Sequence, residues 1–269
     1  MATMQIEVVT LFPELVRQGL GYGVLGRAIE RGLVGVGCED PREHASGPHR
    51  SVDDRPYGGG PGMVGTPAPW SAAIDAASAR LASGAGMAVG GGAGELPRVY
   101  LSAQGVRFDQ AMARRLAATA GFVLVAGRYE GLDERVLESR IDLELSLGDF
   151  VLSGGEFAAL AVIDAVARLR PGVLGDERSG EEESFSTDGL LDWPHYTRPV
   201  EWEGRVVPEV LQGGHHAQIL RWRRKQALGR TWLRRPDLIA ALEERGGLDA
   251  ESRSLLNEYL AEREVEKHG

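Results

Sequence analysis

Phe122-Val123-Leu124-Val125-Ala126-Gly127-Arg128-Tyr129-Glu130-Gly131-Leu132-Asp133-Glu134-Arg135 decides how the rest of the chain is read. Phe122 to Ala126 is an apolar run of strand length, ended by glycine. Asp133 and Glu134 read as the acids of a helix start, where the dipole favours them. Between strand and helix lies a turn that carries a cation, an aromatic ring and an acid: Arg128, Tyr129 and Glu130. Strand-end turns are the usual position for chemistry in an α/β sheet. Working outward, two further glycine-rich turns follow apolar runs: YLSAQG from Tyr100 and SLGDFVLSGGE from Ser146. Glycine lets backbone N–H and C=O groups approach a ligand that side chains would keep away. Three such turns imply one pocket for a small polar ligand. A fourth stretch, DDRPYGGGPGM from Asp53, adds Arg55 and two acids to a backbone nearly bare of side chains.

Taken alone, each glycine cluster reads equally well as a plain turn, and Glu130 to Arg135 as a surface ion-pair cluster. Their co-occurrence favours a site, with Glu130 in it and Asp133 and Glu134 mainly structural.

The remaining pattern alternates short apolar runs with helix-period stretches, which is the mark of an α/β domain. Strands are expected at Ile6 to Leu11, Leu33 to Cys38, Val99 to Ser102, Phe122 to Ala126 and Leu143 to Leu147. Helices are expected at Ala68 to Ala82, Asp109 to Thr119, Asp133 to Ser139 and Glu156 to Arg168. The tract from Ser83 to Gly94 is nearly all Gly, Ala and Met, and reads as a flexible surface insertion. Gly175 to Asp188 is polar, acid-rich and without apolar periodicity, so it reads as a linker. The organisation expected is a domain over 1–172, a linker over 173–190 and a small, mostly helical domain over 191–269, with helices at Gln218 to Leu228 and Ser252 to Leu260.

The chain has 269 residues, 43% apolar and 26% charged, enough to bury a sizeable core. No apolar run approaches the roughly 20 residues that span a bilayer, and the start lacks a signal peptide's basic and apolar regions. A membrane is therefore not an expected partner. A single cysteine, Cys38, suits a reducing cytoplasm. The net charge of -9 excludes a uniform coat of nucleic acid but leaves room for a local basic face. Gly213 to Arg235 supplies one: Arg221, Arg223, Arg224, Lys225, Arg230, Arg234 and Arg235, with Trp222 and Trp232 interleaved and no acid. Phosphate is its natural partner, against the alternative of a solvated basic helix.

Three motifs are set aside. Gly21 to Gly26 fits G-x-G-x-x-G, but about ten residues separate it from the preceding strand, and the dinucleotide fingerprint needs the glycines at the strand-to-helix turn itself. Gly60 to Thr66 resembles part of a phosphate loop but lacks the lysine that follows its last glycine. His215 and His216 are adjacent, so a helix points them to different faces, and no further ligand completes a metal set.

DDRPYGGGPGM, GRYEGLDERV, LGDFVLSGGE, RPGVLG, LLDWPHYTRP and RWRRKQALGRTWLRRPDL resemble, in order and across almost the whole chain, the signatures of bacterial tRNA (guanine-N1)-methyltransferases of TrmD type. The resemblance implies a deep trefoil-knotted α/β domain of the SPOUT kind, S-adenosylmethionine as cofactor, dependence on magnesium, and a homodimer with the site at its interface. It implies a small C-terminal domain that holds tRNA, and methylation of N1 of guanosine 37, next to the anticodon. By the matching motifs, the cofactor is held by Tyr100, Leu101, Ser102 and Gln104, by Gly127, Tyr129, Glu130 and Gly131, and by Ser146, Leu147, Gly148, Val151, Leu152, Gly154 and Gly155. Pro61, Gly62 and Glu130 face the target guanine. Arg221, Arg223, Arg224, Lys225 and Arg230 are the expected contacts to tRNA phosphate.

Guanine N1 holds a proton at neutral pH, so the reaction needs a base. In the family an aspartate before Ser-Phe in the linker has this role, with an arginine at the end of the last knot helix. Here these positions are Glu183 and Arg168. Glutamate has a similar reference pKa, about 4.3 against about 3.9, and a longer reach. Two other readings stay open. One is a non-catalytic RNA-binding protein, motivated by Glu183; the other is a nicotinamide oxidoreductase, which rests only on Gly21 to Gly26.

Overall fold

β1 (Met4–Val9) is buried at every position but Gln5, and β6 (Gly121–Val125) at all of its positions. Near-continuous burial marks strands covered on both faces. In the computed structural model, which describes residues 3–85, 90, 95–175, 183–185 and 188–268, these two strands form the centre of a five-stranded sheet. Its order is β2 (Val34–Glu39), β1, β6, β5 (Arg98–Arg107), β7 (Leu143–Ser146), and every pairing is parallel. Alternate side chains of the central strands feed two cores. Ile6, Val8, Phe122 and Leu124 meet α1 (Pro13–Leu20), α2 (Gly23–Glu30), α4 (Gln110–Ala117) and α6 (Glu156–Ala167). Val9, Val123 and Val125 meet α3 (Pro67–Ala85) and α5 (Glu134–Arg140). A two-stranded ribbon, β3 (Asp53–Asp54) with β4 (Val64–Gly65), lies outside this sheet.

Several strand and helix limits differ from the sequence expectation, each for a local reason. β1 ends at Val9 rather than Leu11, where its pairing with β2 and β6 stops. β5 does not end at Ser102. Leu101 and Val106 both pair with Leu145, so residues 102–105 bulge out of a strand that then resumes. α1 and α2 were not expected at all; each is only eight residues long, too short for periodicity to declare. The G-x-G-x-x-G residues fall at the α1–α2 connection and within α2, away from any strand end. Ser83 to Ala85 continue α3 instead of opening an insertion, and Gly90 is buried, donating from its backbone N–H to the Leu96 carbonyl at 3.0 Å. The rest of that tract, 86–89 and 91–94, lies outside the described residues.

The chain divides into two compact units, Met1–Glu177 and Arg178–Gly269. In the second, a short hairpin, β8 (Glu201–Trp202) with β9 (Arg205–Val206), and α7 (Glu209–Gln212) precede three helices. These are α8 (His216–Arg234), α9 (Pro236–Glu244) and α10 (Ala250–His268), packed around Leu228, Leu242 and Leu255. α9 begins with a proline, was not expected, and caps this small core.

Candidate active site

Two of the three glycine-rich turns meet backbone to backbone, and the Tyr100 side chain of the third packs against Gly127. Ala126 leaves β6 with its N–H on the Val9 carbonyl at 2.9 Å, and the Gly127 carbonyl accepts from the Gly155 N–H at 2.9 Å. A Cβ on Gly155 would stand 2.7 Å from the Ala126 Cα, and one on Gly127 2.7 Å from the Tyr100 hydroxyl oxygen. Neither position admits a side chain. Burial raises the Tyr100 phenol to about 12, although the backbone at Leu132 hydrogen-bonds it and pulls the other way. Its ring therefore acts as a neutral wall. Tyr129 adopts φ 62°, in the left-handed region that a bulky residue enters only under constraint. The constraint is visible: the Glu130 N–H bonds the Met63 carbonyl at 2.9 Å, the Gly65 N–H bonds the Gly131 carbonyl at 2.9 Å, and the Asp133 N–H returns to the Gly65 carbonyl at 3.0 Å. The DDRPYGGGPGM loop is thus stitched to the AGRYEG loop, and Gly62 lies directly against the Glu130 carboxylate.

Every position that the resemblance assigns to the cofactor lines one cavity of about 270 Å³. It opens at the carboxyl ends of β6, β5 and β7, with the β5 bulge, the 127–131 turn and the 146–155 loop as its walls. The Gly148 N–H donates to the Ser146 hydroxyl at 3.2 Å, and Gly148 takes φ 149°, which turns the third loop inward. The cavity is also lined by Arg128, which the sequence placed in the strand-end turn without a cofactor role, and by Ala103, Leu145, Phe150, Ser153 and Ala158, which it did not assign. The signal for Arg128 was its place in the same turn. The rim is apolar and open: Val151 is 91% exposed, and Phe150, Leu152 and Phe157 are exposed beside it.

Beneath the cavity lies a buried ion pair that the sequence did not announce. Glu156, at the start of α6, is 0% exposed. Its Oε2 accepts from Arg128 Nη2 at 3.0 Å and Nε at 3.1 Å, and its Oε1 from the Thr10 hydroxyl at 2.9 Å. One carboxylate therefore joins the ends of β1 and β6 to the start of α6. A Cβ on Gly154 would stand 2.5 Å from Glu156 Oε2, which accounts for that glycine.

Arg168 caps α6 in the first unit. Glu183 belongs to the second, half-buried in a cavity of about 210 Å³ with Asp188, Asp192, Trp193, Arg223 and Arg224. Its neighbours Glu181 and Glu182 lie outside the described residues. Along α8 the cations are less bare than the sequence suggests. Arg221 and Lys225 each pair at 2.6 Å with Glu258 and Glu262 of α10, Arg224 pairs with Asp188 at 2.5 Å, and Arg223 stacks 4.7 Å from the Trp193 ring centre. Acids absent from α8 itself are supplied by other segments, which pair with Arg221, Arg224 and Lys225 of this basic face. Arg230 is half-buried. Among the described residues, no group of three or more His, Cys, Asp or Glu side chains could hold a metal ion. No described helix is long and apolar enough to cross a membrane.

A parallel sheet with three glycine-rich loops over its carboxyl ends defines an α/β protein built to enclose a small polar ligand in a site walled by backbone. Over residues 4–241 the chain matches the family described as tRNA (Guanine-1)-methyltransferase TrmD, and it belongs to that family. It is 53% identical over 262 residues to the tRNA (guanine-N(1)-)-methyltransferase of Halorhodospira halophila, covering 97% of this chain and 93% of that one. It is 52% identical over 265 residues to the protein of the same name from Methylococcus capsulatus, covering 98% and 99%. The like-named protein of Serratia proteamaculans is 52% identical over 264 residues, covering 98% and 97%.

Proposed function

We propose that this chain transfers a methyl group from S-adenosylmethionine to N1 of guanosine 37 of tRNA, beside the anticodon, and so maintains the reading frame in translation. The observation that carries this reading is one cavity lined by all the assigned loop positions, in a chain whose relatives are named tRNA (guanine-N(1)-)-methyltransferase. The cavity residues fit the cofactor: glycines that leave backbone groups bare, the neutral Tyr100 wall and the Ser146–Gly148 turn. When bound, S-adenosylmethionine supplies a methyl group already activated by its sulfonium centre. The chain's own task is to orient guanine and remove its N1 proton. Glu130, held against Gly62 and beside Pro61, offers a carboxylate to the base edge. Glu183 is the proton acceptor and Arg168 the cation that steadies the developing charge. A carboxylate within reach of N1 can act as general base by accepting the proton.

The chain is read as threaded in a deep trefoil knot, a topology that would bring the 146–155 loop against the 127–131 turn, as the Gly155 to Gly127 backbone bond and the Arg128–Gly154 bridge do. The open apolar rim of Phe150, Val151, Leu152 and Phe157 supports a homodimer in which a second copy closes each site. The helical unit, with its remaining cations and tryptophans, then holds tRNA, and a cytoplasmic location follows from that substrate. The test is methyl transfer from labelled S-adenosylmethionine to unmodified tRNA carrying guanosines at 36 and 37. Label confined to N1 of guanosine 37 is the expected result. Label elsewhere in the RNA, or none, refutes it.

A further inference from the structure

The carboxyl edge of the sheet is used twice. The cofactor cavity occupies it over β6, β5 and β7; over β6, β1 and β2 the same edge presents Arg128, Phe12 and Arg42. The Arg128 guanidinium carbon lies 4.2 Å from the centre of the Phe12 ring, and that of Arg42 5.7 Å. Phe12 is 42% exposed on an edge where apolar rings would otherwise be covered. Both arginines are anchored by some of their nitrogens and leave others open. Arg128 is fixed through Nε and Nη2 by the buried Glu156, and among the described residues its Nη1 has no hydrogen-bond partner. Arg42 is fixed through Nη1 by the Leu11 carbonyl at 2.6 Å and Asp40 at 3.3 Å, and its Nε and Nη2 have none. Three of the neighbouring acids are engaged: Glu39 by His44 and Arg80, Glu7 by Arg80, and Glu14 by Arg17. Tyr129 belongs to the same cluster. Burial and the Asp53 carboxylate raise its phenol, while Arg42 and Arg128 act on it in the opposite sense.

We propose that Arg42, Phe12 and Arg128 form a ledge that grips a phosphodiester of the RNA strand next to the base being methylated. Pre-aimed guanidinium N–H groups are suited to phosphate oxygens, and the exposed ring gives the adjoining nucleotide an apolar surface. Arg128 lines the cavity as well, so the ledge continues directly from the site where the base enters. The proposal rests on tRNA being the substrate.

The experiment measures tRNA binding across a salt series for the full chain and for Arg42→Gln, whose amide can still donate to Leu11. Cofactor binding is measured in parallel with S-adenosylhomocysteine. Loss of one phosphate contact should weaken tRNA binding and reduce the slope of log K against log salt by about 1, with Arg42→Lys restoring the slope and S-adenosylhomocysteine affinity unchanged. Phe12→Ala should weaken tRNA binding without altering the slope. An unchanged slope in a folded Arg42→Gln protein overturns the ledge alone. Equal loss of S-adenosylhomocysteine binding overturns it too, since the arginine would then serve the cofactor. A wild-type chain that binds no tRNA overturns the substrate reading and the ledge with it.

Discussion

Replacing Glu156 by alanine should destabilise the first unit by about 3–4 kcal/mol. The carboxylate is fully buried, and it compensates an Arg128 side chain that is only 21% exposed. Breaking a buried pair by removing one partner costs roughly 3–5 kcal/mol, because the remaining charge is left without compensation. Partial exposure of Arg128 places the loss near the lower end of that range. The Thr10 hydroxyl also loses its acceptor, adding about 1 kcal/mol, although its oxygen still accepts from the Phe12 N–H at 3.0 Å. For a unit of this size each kcal/mol lowers the unfolding midpoint by about 2–4 °C, so the transition should fall by roughly 10 °C. Calorimetry gives the midpoint, and hydrogen exchange over 122–131 and 153–160 should quicken because the pair ties those segments together. The double variant Glu156→Leu/Arg128→Leu should recover much of the loss, since neither buried charge remains. A loss below about 1 kcal/mol in the alanine variant, or simple additivity in the cycle, would refute the view that this pair clamps the loops.

Glu183→Gln keeps the side chain's shape while removing the proton acceptor, so single-turnover methylation should fall by about 10² to 10⁴, with S-adenosylhomocysteine binding retained; near wild-type chemistry would assign the proton to another group. Glu183→Asp should stay active, although a misplacement of about 1 Å can cost on the order of 10² in rate. Mixed Arg168→Ala and Glu183→Ala chains should regain one working site per hybrid dimer, and no recovery after proven subunit exchange counts against composite sites. Asp142 is held below its ordinary value by Arg98, which overcomes the opposing effect of burial. Its stabilising contribution is present above the unfolded carboxyl range near 4 and is lost as pH falls through the lower folded value, so Asp142→Asn should flatten the acid limb of stability, measured by urea unfolding against pH.

The sheet was legible because most of its strands hold short apolar runs, and that signal is local. The cavity was legible because a residue that must let another group come close has to be glycine: Gly155 against the Ala126 backbone, Gly127 against Tyr100 and Gly154 against Arg128 and Glu156. α1 and α2 were not legible, since a helix of two turns offers too few positions to establish a period. The resumption of β5 after its bulge depends on Leu145 pairing twice, which no property of residues 102–105 encodes. The basic face of α8 looked uncompensated because its acids, Glu258 and Glu262, are distant in sequence and adjacent only across the packed helices.

Glu156 is the sharpest case. Its sequence setting, an acid opening a helix after two glycines, reads as an exposed residue favoured by the helix dipole. Only tertiary structure buries it between Thr10 and Arg128, residues 146 and 28 positions away. Sequence alone fixes what depends on each residue's own backbone freedom, polarity and immediate neighbours. The partner of a charge depends on which distant segments the sheet brings side by side, and that was decided when β1 and β6 paired and α6 packed across their ends.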